Sequence, residues 1–407
     1  MKRQRSTINH HPSTGGRLTD RLLNVRKRRA LGWAALAYAG VVLAGALVGA
    51  DITLRSKTRW VKGVFVPVGR RGNEVYLPAS AETLSRGPIG IVPLLPNKGH
   101  AVLGERQVVG TLVRRPVQEE RGVLPNGALA WASTFVYNGT PAQLGVEFED
   151  TKVHTPLGDM PAWHIPPSGD APGRADAVVI VIHGHGGQRA QALRMLPALR
   201  RTGAASLFVT FRNAHGAPRS ESGYLTLGDQ EAEDVISALH WAQGAGYRRA
   251  VLYGFSMGGN IALSALRARH QPYPIPVTGV MLDCPALDWR ATILSQGQRF
   301  GLPPFLARHV ATFTQWVVTR RSGQDFDTVD QIRAAPSFNL PILMWHGTRD
   351  RTIPVSQADA LAAARPDLIE YHRVEGGKHI RVWNINPEQY DAQLDTFIGR
   401  VLPEVAG

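Results

Sequence analysis

The sequence predicts an α/β protein whose core is a doubly wound, mostly parallel β-sheet. Strands and helices alternate along residues 143–405, which is the pattern of repeated strand–helix–strand units. Segments 177–182 (AVVIVI) and 206–211 (SLFVTF) are almost uninterrupted runs of apolar residues, as expected for strands that are buried on both faces. The chain has 407 residues, 43% of them hydrophobic, so it can bury a large core and carry additional segments.

The positive charge of the chain is concentrated near its N-terminus. Lys and Arg exceed Asp and Glu by 14, but residues 1–71 hold fifteen basic and only two acidic residues. An even spread of this charge would indicate a nucleic-acid partner, whereas the remainder of the chain is nearly neutral and we expect none. Residues 1–29 are polar and basic, and they predict a mobile cytoplasmic tail.

Residues 30–50 (ALGWAALAYAGVVLAGALVGA) contain no charged residue and predict a transmembrane helix. A helix of that length spans about 30 Å, which is enough to cross the hydrocarbon layer of a lipid bilayer. Nine basic residues precede it and four follow closely, so the positive-inside rule places the N-terminus in the cytoplasm. The expectation is therefore a single-pass protein of the cell membrane whose residues beyond 50 are extracytoplasmic.

Two other interpretations of residues 30–50 remain open. One is a buried core helix, and the other is a cleaved signal peptide with Val48 and Ala50 as the small residues before the cut. The preceding segment of nearly thirty residues is long for a signal peptide, which favours an uncleaved anchor.

Residues 58–142 predict a β-rich accessory region, because short β-branched or aromatic segments alternate there with Gly, Pro and Asn. We assign no chemistry to it. Cys284 is the sole cysteine of the chain, so no intrachain disulfide can form, and a small buried apolar residue is expected.

The region 143–405 predicts a catalytic domain with its elements in a definite order. An opening pair of strands joined at 157–159 is followed by strands 177–182 and 206–211 and by a helix over 229–244, which Asp229 is expected to cap. Further strands are expected at 249–253, 277–282, 342–345 and 371–374, and a closing amphipathic helix at 390–401. The segment 285–339 is too long for an ordinary connection, and we expect it to form a helical lid.

The segment 251–263 (VLYGFSMGGNIAL) is typical of a strand that turns sharply into a helix. Gly254 and Gly258 allow neighbouring backbone to approach closely, and Ser256 between them is left exposed at the turn. We therefore predict that Ser256 is a nucleophile.

A serine nucleophile needs hydrogen-bond donors for the developing oxyanion. The glycine-rich turn at 183–187 (HGHGG) follows a predicted core strand, and we expect the backbone N–H groups of His185 and Met257 to supply the donors. His183 and His185 could alternatively bind a metal ion, but no third ligand lies close in sequence, so we expect no metal and no cofactor.

The serine also needs a histidine base and a carboxylate that orients it. Asp350 follows a predicted strand in 346–354 (HGTRDRTIP), at the end of the sheet where active-site residues gather. Asp283, at the end of the preceding strand, is the alternative acid. His379 follows the last predicted strand in a loop with two glycines, whereas His346 and His372 are expected to be structural.

The residues HGHGG, GFSMGG, HGTRDRTIP and GGKH, at these intervals, resemble the α/β-hydrolase superfamily over residues 143–405. The segments 211–219 (FRNAHGAPR) and 223–228 (GYLTLG) are further similar to membrane-anchored bacterial members of its peptidase and acyl-ester hydrolase branches. The resemblance implies an acyl-enzyme mechanism carried by Ser256, His379 and Asp350.

The sequence therefore predicts a membrane-anchored serine hydrolase that cleaves an ester or a related small-molecule acyl substrate. A serine peptidase and an acyltransferase are alternatives that use the same three residues. A binding module on a hydrolase scaffold without activity is a third alternative, because a fold does not determine function. The sequence does not indicate the natural substrate or the oligomeric state.

Overall fold

The structure is a computed structural model that describes residues 14–56, 63–94, 99–168, 173–267 and 271–404, with residues 14–25 described as backbone only. Its strands form two sheets, and the larger of these carries the residues predicted to be catalytic. The larger sheet consists of β9 (Glu149–Thr155), β10 (Gly158–Ile165), β11 (Ala177–Ile182), β12 (Ala205–Val209), β13 (Arg249–Phe255), β14 (Val277–Asp283), β15 (Ile342–Gly347) and β16 (Ile369–Val374).

The order of strands across this sheet is β16-β15-β14-β13-β11-β12-β10-β9. Strands β11 to β16 are parallel, and β9 and β10 form an antiparallel pair at one edge. The carboxyl ends of β13, β14, β15 and β16 therefore lie side by side at one end of the sheet. The predicted doubly wound, mostly parallel sheet is confirmed.

Helices cover both faces of the sheet because alternate strand residues point to opposite sides. In β11, Ile180 belongs to one buried cluster, and Val179 and Val181 belong to another. The first cluster includes apolar residues of α3 (Glu231–Gly244), α4 (Met257–Ala265) and α8 (Val355–Ala364), and the second includes those of α2 (Leu196–Arg201) and α9 (Pro387–Val401).

The start of α3 differs from the prediction. The helix begins at Glu231 after Gln230, so Asp229 is not its N-cap. The Glu231 carboxylate, which is buried, accepts hydrogen bonds from the backbone N–H groups of Thr226 and Gly228. The turn before the helix is thus stabilised by a residue inside the helix.

The N-terminal helix α1 (Thr14–Leu54) extends beyond both ends of the predicted span. Residues 14–29 of the predicted tail are helical, and residues 1–13 lie outside the described part of the chain. The stretch Arg26–Leu54 is long and apolar enough to cross a membrane, and its most apolar window has a mean hydropathy of 2.0. Ala50 and Leu54 at its end are buried in the same cluster as α3 and α4.

The smaller sheet contains the strands between residues 64 and 133: β1 (Val64–Pro67), β2 (Gly69–Arg71), β3 (Glu74–Pro78), β4 (Ile89–Pro93), β5 (His100–Leu103), β6 (Gln107–Val109), β7 (Leu112–Arg121) and β8 (Leu129–Ser133). It packs against the chain beyond β16, where Arg381 pairs with Glu82 at 2.8 Å and the Asn384 amide donates to the Pro88 carbonyl at 2.9 Å. Residues 58–62 and 95–98 of the predicted β-rich region lie outside the described residues.

The segment 285–339 forms α5 (Trp289–Arg299), α6 (Pro304–Ser322), α7 (Gln331–Ala334) and short 3₁₀ turns. Helices α5 and α6 are joined by only four residues and pack against each other as a hairpin. Helix α6 also packs against the N-terminal helix: Val310 and Thr314 of α6 lie against Gly45 and Gly49 of α1.

Candidate active site

Ser256 lies at the junction of β13 and α4 with a backbone φ of 55°. This left-handed conformation is strained for a residue with a side chain, and it persists only where the surrounding structure imposes it. A Cβ at Gly254 would lie 2.3 Å from the Gly258 carbonyl oxygen, and one at Gly258 would lie 2.2 Å from that of Ile182. Both glycines are therefore required for the sharp turn at Ser256.

His379 lies on the loop that follows β16, and its Nε2 is 2.9 Å from the hydroxyl oxygen of Ser256. A close backbone approach holds this loop, because a Cβ at Gly347 would lie 2.2 Å from the Gly377 carbonyl oxygen. The Arg349 N–H also donates to the Gly377 carbonyl, at 2.9 Å. The loop after β15 thus fixes the loop that carries His379.

Asp350 lies on that loop after β15, and its Oδ2 is 2.6 Å from Nδ1 of His379. Its other oxygen, Oδ1, accepts the backbone N–H groups of Thr352 at 2.7 Å and Ile353 at 2.9 Å. A carboxylate can only accept, so Nδ1 of His379 carries the proton and Nε2 is left to accept from the Ser256 hydroxyl. The structure brings the three predicted residues together as one hydrogen-bonded series.

The electrostatic environment keeps Asp350 ionised. Burial raises the pKa of its carboxyl group, but the neighbouring His379 and His346 outweigh this effect and hold the pKa well below its usual range. His346 is fully buried, with Nε2 3.3 Å from Asp350 Oδ2 and 3.1 Å from the Ile353 carbonyl. His346 and His379 thus both lie close to Oδ2 of Asp350.

Asp283, the alternative acid, does not contact the histidine. Its side chain is fully buried and accepts a hydrogen bond from the Tyr390 hydroxyl at 3.1 Å, and burial raises the pKa of its carboxyl group. Its backbone carbonyl accepts the N–H of Ser256 at 2.9 Å. Asp283 therefore supports the turn at Ser256, and Asp350 is the acid that orients His379.

The glycine-rich turn after β11 lies directly against Ser256. A Cβ at Gly184 would be 3.0 Å from that of Ser256, so only glycine leaves space beside this serine. The Gly184 N–H donates to the side-chain oxygen of Gln191 at 2.8 Å, which holds the turn in place. His185 follows in this turn.

His185 and Met257, whose backbone N–H groups are the predicted oxyanion donors, are held in place by different contacts. The His185 side chain extends to α1, where Nε2 donates to the Thr53 carbonyl at 3.0 Å. Met257 is the first residue of α4, so its N–H has no acceptor within the helix and lies at the positive end of the helix dipole.

The two histidines of the turn are engaged in separate contacts. The buried His183 ring stacks on Phe211 with the ring centres 4.3 Å apart. Its Nδ1 donates to the Gly184 carbonyl at 2.9 Å, and burial lowers the pKa of its imidazole to about 4, so the ring is neutral. The two side chains therefore make separate structural contacts, and these contacts do not bring them together as ligands of one ion.

Within the described residues, one set of potential metal ligands lies within 4.8 Å of one another: Cys284, Asp350 and His379. A thiol must lose its proton to bind a metal, and burial raises the pKa of Cys284 well above its usual range. The mutual hydrogen bond of Asp350 and His379 already accounts for their proximity.

The sequence matches the profile of the alpha/beta hydrolase family over residues 179–393, which is more than half of the chain. The chain therefore belongs to the alpha/beta hydrolase family. A search of curated proteins finds no match.

Among solved structures, the chain resembles the esterase Pf2001 of Pyrococcus furiosus with a TM-score of 0.51 and 21% identity, over 65% of this chain and 97% of the esterase. Esterase 2 of Thermogutta terrifontis, solved in a form phosphonylated by sarin, gives a TM-score of 0.47 and 21% identity, over 65% of this chain and 97% of the esterase. A puromycin-hydrolysing peptidase of Mycobacterium tuberculosis gives a TM-score of 0.47 and 18% identity, over 82% of this chain and 47% of the peptidase.

Three contributors to the site could not be identified from the sequence: His346, Gln191 and Thr53. His346 lies among the last residues of β15, where a structural role was expected, whereas it contacts Asp350 directly. Thr53 lies 132 residues from its partner His185, and no local pattern signals that contact. Gln191 is closer, seven residues from Gly184, but a glutamine in a helical turn carries no sequence signal of its own.

Proposed function

We propose that this protein is a serine hydrolase that cleaves an ester or a related acyl substrate through an acyl-enzyme intermediate. The observation that carries the proposal is the hydrogen-bonded series from Ser256 through His379 to Asp350, with distances of 2.9 and 2.6 Å. The strained backbone of Ser256, whose φ is 55°, supports it because such strain is typical of functional residues.

In the proposed reaction, Nε2 of His379 removes the proton of the Ser256 hydroxyl while the oxygen attacks the substrate carbonyl. Asp350 holds the imidazole in the tautomer that accepts this proton and stabilises the imidazolium that forms. The N–H groups of His185 and Met257 stabilise the oxyanion. His379 then protonates the leaving group, and a water molecule that His379 deprotonates releases the acyl group.

We also propose that α1 anchors the protein in the cell membrane, with the N-terminus in the cytoplasm and the hydrolase domain outside. The apolar residues 30–50, which lie within the long helical stretch Arg26–Leu54, and the nine basic residues before them support this placement. The α5–α6 hairpin, which packs on α1 and lies close to the site, is the proposed lid.

The test is hydrolysis of a soluble p-nitrophenyl ester by the full chain and by Ser256→Ala. The Ser237→Ala variant is a matched control, because Ser237 is a partly exposed residue of α3. We expect Ser256→Ala to lose activity by roughly a million-fold or to the detection limit, and the control to remain active. Equal activity of Ser256→Ala and the full chain would refute the proposal.

A panel of substrates separates the possible reaction classes. Esters, thioesters and aminoacyl amides offered to the same preparation report which acyl–leaving-group bond is cleaved. Addition of an alcohol or amine acceptor reports whether acyl transfer competes with hydrolysis. We expect esters to be preferred, and preferential cleavage of peptide bonds would contradict that preference.

A further inference from the structure

The α5–α6 hairpin has an exposed aromatic surface beside the N-terminal helix. Phe305, Phe313 and Trp316 of α6 are 59%, 48% and 60% exposed, and Phe300 at the tip of the hairpin is 73% exposed. Aromatic side chains of that size are normally buried or engaged in an interface. Their exposure indicates that another surface covers these four side chains, which we name the hairpin face.

The hairpin face is continuous with the apolar surface of α1. A Cβ at Gly45 would lie 3.2 Å from Val310, and one at Gly49 would lie 2.8 Å from Thr314. Close packing through small residues four apart is characteristic of helix pairs in membranes. Tyr38 extends the contact, with its ring stacked on Phe305 at 6.3 Å and its hydroxyl 2.9 Å from His309.

The two helices run in the same direction. Tyr38 lies beside Phe305, and Gly49 lies beside Thr314, so the sequence of each helix advances from the tip of the hairpin towards the catalytic domain. Whatever covers the exposed side chains of α1 in this region, which include Val41, Leu43, Leu47 and Val48, therefore also borders the hairpin face.

The charge of the hairpin indicates the chemistry of what it meets. Residues 289–324 contain five arginines and no Asp or Glu, although the chain beyond residue 71 is nearly neutral. Arg308 and Arg320 are exposed on α6 together with the aromatic rings. Basic side chains combined with Trp and Phe are typical of helices that bind the surface of a membrane with anionic lipids.

The arginines also limit how deep the hairpin can lie. A charged side chain is unfavourable at the centre of a bilayer, so Arg308 must reach the headgroups. The hairpin face then lies beside the outer part of the span, with its rings directed to the acyl chains and Arg308 extended towards the headgroups. Inclination of α1 or local thinning of the bilayer accommodates the rest of the span.

Both α1 and the hairpin segment form hydrogen bonds with the loops around Ser256 and Asp350. Gln296 of α5 donates to the Thr352 carbonyl at 2.6 Å, two residues beyond Asp350. The N–H of Ala286, where the chain enters the hairpin segment, donates to the Ser256 carbonyl at 3.1 Å. The end of α1 contacts His185 through Thr53. The elements that adjoin the membrane therefore form part of the surroundings of Ser256.

We infer that the hairpin face binds the surface of an anionic phospholipid bilayer, and that Ser256 draws its acyl substrate from that bilayer. The inference about lipid contact rests on α1 and the hairpin alone. The inference about the substrate rests on the proposed function of Ser256. It specifies the substrate class as acyl esters that reside in the membrane.

The first test places a polarity-sensitive fluorophore on the full chain, reconstituted in vesicles of phosphatidylcholine with or without phosphatidylglycerol. The label is attached at Phe313→Cys, with Ala392→Cys as the control because Ala392 is exposed on α9, on the opposite face of the sheet. Cys284 is fully buried, so it does not compete for the reagent.

We expect a blue-shifted emission at position 313 and an aqueous emission at position 392, with a larger shift when phosphatidylglycerol is present. Aqueous emission at both positions in both kinds of vesicle would overturn the inference of lipid contact. A blue shift that does not depend on phosphatidylglycerol would overturn the assignment of anionic lipid.

The second test compares a long-chain fluorogenic ester embedded in the vesicles with a short-chain ester in solution. The double variant Phe313→Ser, Trp316→Ser should lower the ratio of the two rates by roughly tenfold or more, because two aromatic anchors are lost. Phe65→Ser, which changes an exposed aromatic of the smaller sheet, should leave the ratio unchanged.

The outcomes distinguish the two proposals. An unchanged ratio in the double variant would overturn the membrane-resident substrate while leaving the hydrolase function intact. Undiminished hydrolysis of both esters by Ser256→Ala would refute the hydrolase function, and the fluorophore measurement would still decide the question of lipid contact.

Discussion

At the scale of single residues, the backbone of Ser256 and the partners of His379 define the site. The turn at Ser256 is held by two glycines, whose places no residue with a side chain can take, and by the Asp283 carbonyl, which accepts the N–H of Ser256. His379 is oriented by a carboxylate that accepts two further backbone N–H groups. The geometry of the reacting groups is therefore imposed by backbone contacts before any substrate binds.

The role of Asp350 predicts the effect of Asp350→Asn. An amide at this position cannot hold His379 in the required tautomer, so we expect kcat on a soluble ester to fall by roughly 10⁴-fold. Asp359→Asn, which changes a half-exposed carboxylate on α8, is the control and should have little effect. Full activity of Asp350→Asn together with an inactive, folded Asp283→Asn would mean that Asp283 is the orienting acid.

The buried imidazole of His183 predicts a dependence of stability on pH. Burial lowers its pKa to about 4, below the unfolded value of about 6.5, so only the unfolded chain binds a proton between these values. Stability is therefore lost as the pH falls through this range, by about 2 kcal/mol at about pH 5. Above the unfolded pKa the imidazole is neutral in both states, so its burial then causes no pH-dependent loss of stability.

We expect His183→Gln to lose about 2 kcal/mol less on acidification than the unsubstituted chain. Thermal unfolding midpoints in detergent at about pH 7 and about pH 5 measure the difference. His240→Gln on the exposed side of α3 should behave like the unsubstituted chain. An identical acid shift in His183→Gln would show that this imidazole does not titrate on unfolding.

At the scale of secondary-structure elements, the contact between α1 and α6 joins the apolar N-terminal helix to the catalytic domain. It depends on Gly45 and Gly49, which let the two backbones approach. We expect Gly49→Leu to destabilise the protein by about 1–3 kcal/mol, because a Cβ at this position would lie 2.8 Å from Thr314 Oγ1.

The matched control for this prediction is Gly40→Leu. No atom lies within 4 Å of a Cβ at Gly40, so the same substitution there should have little effect on the unfolding midpoint. Equal midpoints for Gly49→Leu and Gly40→Leu would show that α1 does not pack on α6 in the isolated protein.

The sequence predicted the elements that local patterns specify. The strand at 177–182 is confirmed, and strands were predicted within two residues of the observed bounds of β13, β14 and β15, because apolar runs bounded by turn residues are local signals. The start of α3 was predicted wrongly, since the side chain that stabilises its turn lies inside the helix. The partners of α1 could not be predicted, because Val310 and Thr314 are about 265 residues along the chain from Gly45 and Gly49. The Gly-x-x-x-Gly pattern indicates that a helix packs closely but not which segment it packs against.

For the candidate site, sequence reasoning selected Ser256, Asp350 and His379 by their places after strands. It left Asp283 open as the acid, because two adjacent strand ends each carry an aspartate and only the distances separate them. The support from His346 depends on how the loop after β15 folds back on itself, which no periodic pattern encodes.

At the scale of the whole molecule, the uneven charge and the apolar helix support the orientation that we propose for the protein in a membrane. The nine basic residues before the apolar stretch 30–50 favour a cytoplasmic N-terminus. In sealed vesicles prepared with the cytoplasmic side inward, we expect added protease to digest residues beyond 60. Protection of these residues until the vesicles are opened would mean that the hydrolase domain is cytoplasmic.

The most direct test of the central claim, that Ser256 is an activated nucleophile, is labelling of the full chain with a fluorophosphonate followed by peptide mapping by mass spectrometry. We predict one phosphonyl adduct, located on Ser256, which is lost in Ser256→Ala and forms much more slowly in His379→Ala. An unlabelled folded protein, or an adduct on another residue that persists in Ser256→Ala, would contradict it.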